Sequence, residues 1–136
     1  MAENILRAVV PIVLLDDESQ LVTVTAVSGS GPAYFFLLME LIEAAAVDLG
    51  LPEDAASLLT LQTALGAARM AIESEEDASE LRRRVTSPGG TTAAALEVLK
   101  DGDIGTLIRR AIDAARDRSQ ELADELGQQS VEGVDS

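Results

Sequence analysis

Residues 33–49, AYFFLLMELIEAAAVDL, are apolar almost all the way round, with charge only at Glu40, Glu43 and Asp48. Their residue types favour a helix, and a helix apolar on every face must be enclosed on every face. The stretch is too short and too charged to be expected to span a membrane. A chain of 136 residues can hardly wrap one helix completely, so part of the cover is expected from a second subunit.

The rest of the chain fits a helical reading. Its length is that of one domain able to bury a real core. Nearly half the residues are hydrophobic, alanine and leucine foremost, and the aromatics are Tyr34, Phe35 and Phe36 alone. Alanine, leucine, glutamate and arginine are good helix formers, so composition points to an all-α fold. There is no cysteine, which removes disulfides, thiolate zinc sites and a cysteine nucleophile. There is no histidine, which removes the usual general base and the commonest metal ligand, and no metal site is expected. Net charge is −14, from 24 acids and 10 bases, with Lys100 the one lysine. Such a surface repels nucleic acid and anionic membranes, so neither is expected as a partner. Excess acid with little lysine serves solubility, and it also suits a cytoplasm of high salt. Residues 1–15 lack the basic start and small-residue cleavage site of a secretory signal, and a cytoplasmic location is expected.

Along the chain, residues 2–9 read as a short helix stopped by Pro11, and residues 12–15 as a strand closed by Asp16, Asp17 and Glu18. No G-x-G-x-x-G fingerprint occurs; Gly29-Ser30-Gly31 runs into Pro32 and an apolar helix instead of a βαβ unit. Residues 21–27, LVTVTAV, are a strand by propensity. Gly50 ends the apolar helix, and Pro52 suits the first turn of a helix over residues 52–72, with Glu53 and Asp54 at its positive end. Gly66 in mid-helix costs about 1 kcal/mol against alanine, which close helix packing would offset. Residues 73–77 form an acidic connector, and Asp77 with Glu80 makes a capping-box start. Arg82, Arg83 and Arg84 read as a solvated or salt-bridged face. Gly102 and Asp103 supply a stop and a new cap. Ile104, Leu107, Ile108, Ala111, Ile112, Ala115, Leu122 and Leu126 then keep a 3.6-residue period, the mark of an amphipathic packing helix. Gly127 is expected to end it, before a disordered tail over residues 128–136.

Residues 85–99, VTSPGGTTAAALEVL, carry the chemistry. Pro88 fixes its own φ and pushes Ser87 towards an extended conformation. Gly89 and Gly90 allow a ligand close to the backbone. Thr91 and Thr92 open a helix and offer side-chain oxygens as caps. A helix N-terminus preceded by glycines presents several N–H donors to one point, which suits a carboxylate or phosphate. The same residues also make an ordinary, well-capped helix corner.

The run Ser87-Pro88-Gly89-Gly90-Thr91-Thr92, preceded by Leu81 and Val85 and followed by Ala95-Leu96, resembles the most recognisable motif of the pyrroline-5-carboxylate reductases. A second stretch agrees, Thr25-Ala26-Val27-Ser28-Gly29-Ser30-Gly31-Pro32-Ala33-Tyr34, at the family's spacing upstream. Gly50-Leu51-Pro52, Gln62-Thr63 and Gly66-Ala67-Ala68 fit between them. The likeness runs from about Ala2 to Leu126 but covers only the C-terminal half of such an enzyme, its helical dimerisation domain. Asp77-Ala78 stands where the family often has His-Pro, a departure at a helix entry and not in the loop.

The resemblance implies an interlocking helical bundle of the 6-phosphogluconate dehydrogenase C-terminal-like type. Residues 1–17 would be a remnant of the end of a dinucleotide-binding domain, and residues 18–127 the dimerisation and substrate-loop domain. It makes residues 21–27 helical, against their propensity. It also implies hydride transfer from NADPH or NADH to the C=N carbon of 1-pyrroline-5-carboxylate, giving L-proline. Ser87, Gly89, Gly90 and Thr91 would hold the carboxylate, and Thr92, the catalytic residue, would hydrogen-bond the imine nitrogen. No strong base is needed, so catalysis is mostly orientation. Without the nucleotide-binding domain the chain alone is expected to bind no cofactor and to be inactive. Its expected partners are a second copy, with a higher oligomer left open, the substrate or proline, and a separate nucleotide-binding domain. Two other readings stand beside this one: a free-standing helical dimerisation module without catalysis, and an unrelated acidic interaction domain.

Overall fold

The computed structural model describes residues 19–133, and all regular structure among them is helical. In chain order it comprises α1 (Ser19–Val24), a π-helical turn (Thr25–Gly29), α2 (Gly31–Asp48), α3 (Glu53–Glu73), α4 (Ala78–Arg84), α5 (Thr91–Asp101) and α6 (Ile104–Glu132). The all-α expectation holds. The helix and strand expected within residues 2–15 lie outside the described residues.

Residues 21–27 are helical, against their β-branched propensity. The helix widens after Val24: the Ser30 N–H reaches back five residues to the Thr25 carbonyl at 2.9 Å. The Thr25 hydroxyl donates to the Leu21 carbonyl at 3.0 Å. Such back-bonding by threonine bends helices, in keeping with the wider turn that follows. Ala26, within that turn, is fully buried.

α2 ends as its glycine predicts. Gly50 takes φ +109°, its N–H bonds the Val47 carbonyl at 2.9 Å, and the Leu51 N–H bonds the Ala46 carbonyl at 3.0 Å. That pair of bonds is a Schellman ending. Pro52 sits one place earlier than expected, as the extended N-cap of α3. Among the described residues a Cβ at Gly66 would meet nothing within 4 Å, so none of them packs closely against it. Between α5 and α6 the left-handed position falls on Asp103 (φ 59°), not on Gly102. α6 passes through Gly127, where it was expected to end, and continues to Glu132.

The chain divides into two compact units, one holding residues 19–32 and 106–133 of those described, the other Ala33–Gly105. In the second, α2 and α3 flank a groove of about 560 Å³ lined by Glu40, Glu43, Asp48, Glu53 and Asp54 among others. Ala56 and Thr60 are buried on α3. The large apolar side chains are not: Phe36 is 66% exposed, Leu41 57% and Leu59 56%. The apolar stripe of α6 is likewise open, Leu107 at 56%. By length and composition alone, Ser19–Asp48 and Glu53–Glu73 are apolar enough to cross a membrane, a test that the core helix of a soluble protein also passes; the expectation of too short and too charged concerned residues 33–49 alone. Among the described residues, their large apolar side chains stand open and call for a cover.

Candidate functional site: the turn between α4 and α5

α4 starts on a true cap. The Asp77 carboxylate accepts the Glu80 N–H at 2.9 Å. The Glu80 side chain does not reach back to complete the capping box; it pairs with Arg83 and approaches the Arg84 Nε at 3.8 Å. Arg84 pairs with Glu76 in the connector. Two of the three arginines are therefore salt-bridged, and all three complement the negative end of α4. The Arg83 hydrogen bond holds the Glu80 carboxyl below the usual carboxylate range, with desolvation opposing it and the Arg84 charge assisting.

The helix stops through side chain and backbone together. The Val85 N–H bonds the Leu81 carbonyl at 3.3 Å and the Thr86 N–H the Arg83 carbonyl at 3.2 Å. The Thr86 hydroxyl donates to the Arg82 carbonyl at 2.5 Å. Residues 87–90 then close a β-turn, the Gly90 N–H bonding the Ser87 carbonyl at 3.0 Å. Proline at its second position and Gly89 at φ +72° at its third are the signature of type II. Gly90 is the N-cap of α5, extended and without a side chain to offer. A Cβ there would lie 3.2 Å from the Ser87 carbonyl oxygen, so the turn is fitted to glycine.

The threonine caps expected at this helix are not formed, because the cap position itself is Gly90. The Gly90 carbonyl accepts the Ala94 N–H at 3.2 Å, while the N–H groups of Thr91, Thr92 and Ala93 precede the first helical acceptor. Ser87, Gly89 and Thr91 are exposed; Gly90 and Thr92 are half-buried. All five expected site residues thus fall on one turn and one helix start. The arrangement offers backbone donors and a positive helix end to an anion.

Two residues escaped the sequence reading. Glu76 was read only as part of an acidic connector, yet it reaches Arg84, and its Oε2 is enclosed without a hydrogen-bond partner. Helical periodicity could not have signalled that contact, because Glu76 lies in the connector before the Asp77 cap and outside the helix. Thr86, four residues after Arg82, did carry a hint, since a threonine hydroxyl readily reaches the carbonyl four residues back.

Residues 18–122 match the family model for pyrroline-5-carboxylate reductase dimerisation. The chain belongs to that family. A pyrroline-5-carboxylate reductase of Pseudomonas aeruginosa is 56% identical over 127 residues, 93% of this chain and 46% of the relative. The solved pyrroline-5-carboxylate reductase of Coxiella burnetii aligns with TM-score 0.81 and 50% identity, over 89% of this chain and 45% of that one. The Plasmodium falciparum pyrroline carboxylate reductase, solved with NADP bound, aligns with TM-score 0.75 and 33% identity, over 77% and 40%. The chain therefore spans under half the length of these family members, and the part it shares with them is this helical domain.

Proposed function

We propose that this chain is the dimerising, substrate-holding part of a pyrroline-5-carboxylate reductase, which reduces 1-pyrroline-5-carboxylate to L-proline in proline biosynthesis. The observation that carries the reading is the 87–92 turn: a type II turn delivers an N-cap with no side chain, and the first N–H groups of α5 stand open. Ser87, Gly89, Gly90 and Thr91 hold the substrate carboxylate there, and Thr92 orients the imine nitrogen. NADPH or NADH supplies the hydride in the complete enzyme. No dinucleotide fingerprint lies in this sequence, so the contribution of these residues is to bind and orient the imine acid.

A homodimer supports this role. The open apolar faces of α2, α3 and α6 take their cover from a second copy, which answers the two membrane-like helices without a bilayer. A cytoplasmic, salt-adapted protein fits the charge of −14. The test is a reductase assay of the chain with and without a separately supplied nucleotide-binding domain from a relative. Turnover only in the mixture supports the proposal. A dimer that stays inactive with that domain bound favours a module without catalysis.

A further inference from the structure

The chain of contacts behind the turn has a starting point outside α4. Glu76 lies in the connector before the helix and Arg84 is the last residue of the helix, three positions before Ser87. Their ion pair spans the full length of α4. The connector end is itself fixed, the Glu76 N–H bonding the Ser74 hydroxyl at 3.1 Å. One Glu76 carboxylate oxygen meets Arg84 while the other is shut from water with no hydrogen-bond partner. A carboxylate held in that state is not a freely solvated surface charge; enclosing an unpartnered oxygen is unfavourable, and the Arg84 contact offsets it. From Arg84 the chain passes directly into Val85 and Thr86, both bonded back onto α4, and then into the 87–90 turn.

We infer that the Glu76–Arg84 pair is a latch that positions the 87–92 turn, with Glu76 and Arg84 as positioning residues. The latch fixes where α4 ends, and the end of α4 fixes where the turn aims the N-terminus of α5. Its consequence for ligand binding rests on the function proposed above; its effect on the turn does not. Glu80 also touches Arg84, at 3.8 Å, but it lies within α4 and does not tie the connector.

The experiment is amide hydrogen exchange by NMR on the full 136-residue chain, with a proline titration of the same samples. In Glu76→Gln, exchange at the Thr86 and Gly90 amides rises about fivefold over wild type, while amides around Thr60 in α3 keep their rates. Arg84→Gln does the same, Arg84→Lys restores most of the protection, and the double variant Glu76→Gln/Arg84→Gln is no worse than Arg84→Gln alone. Glu80→Gln, a charge loss of equal size inside α4, stays within twofold of wild type. If Glu76→Gln leaves Gly90 exchange unchanged, or speeds exchange equally in α3, the latch is overturned. Where wild type binds proline, Glu76→Gln weakens it several-fold and Arg84→Lys largely keeps it. Where wild type binds none, the substrate-site reading fails while the exchange rates still decide the latch.

Discussion

Gly89 and Gly90 do different work one residue apart. Gly89 supplies the left-handed angle of the turn, φ +72°, where an L side chain is strained. Gly89→Ala should therefore lower stability by about 1 kcal/mol or somewhat more, and Gly89→Asn by less, since asparagine tolerates that region. Thermal unfolding of the two variants beside wild type checks the order. Gly90 has ordinary angles, and its constraint is space beside the Ser87 carbonyl. Glu80 gives a pH signature. Its carboxyl is depressed in the folded chain, so its share of stability is complete above the ordinary carboxylate range and fades as pH falls through the lowered value. Glu80→Gln should flatten that part of the stability–pH curve on the acid side and leave it unchanged in shape near neutrality. Acid titrations of melting temperature make the comparison.

Among the elements, those set by local chemistry were legible in the sequence. The Gly50 ending, the Asp77 cap and the acidic entry to α3 each depend on one or two residues and their backbone needs. Where two local signals compete, sequence was less decisive. Residues 21–27 are β-branched yet helical, and only the family likeness pointed that way. Gly127 did not end α6, because a glycine costs a helix about 1 kcal/mol and good helix formers on both sides outweigh it. The left-handed angle fell on Asp103 beside a glycine that could have taken it more easily. Of the site, the residues of the turn could be read, but not that Gly90 would leave α5 uncapped or that Glu76 would reach Arg84. The first depends on how the turn closes in three dimensions, the second on where the connector enters α4. The open face of α2 carries its own test. Leu41→Asp should yield unfolded or aggregated chain and no soluble single subunit, whereas light scattering should find the wild type dimeric at micromolar concentration.

At the scale of the molecule, two features need a partner and a solvent to make sense. The largest apolar side chains of α2 and α3 stand open, and the acids outnumber the bases by 24 to 10. Self-repulsion of −14 charges opposes the compact state, and salt shortens its range to about 3 Å at 1 M. Melting temperature should rise from dilute buffer to molar potassium chloride; a flat or falling trend contradicts salt adaptation. The central claim, that the 87–92 turn receives a carboxylate, is tested most directly by titrating the chain with L-proline while following the Gly89 and Gly90 amides by NMR. Both amides should shift in a saturable way with proline on the order of 10 mM. Ser87→Ala should shift much as wild type does, because backbone donors do the holding, and Gly90→Val should not shift. Amides that stay in place throughout the wild-type titration would contradict the account and leave the turn a helix corner.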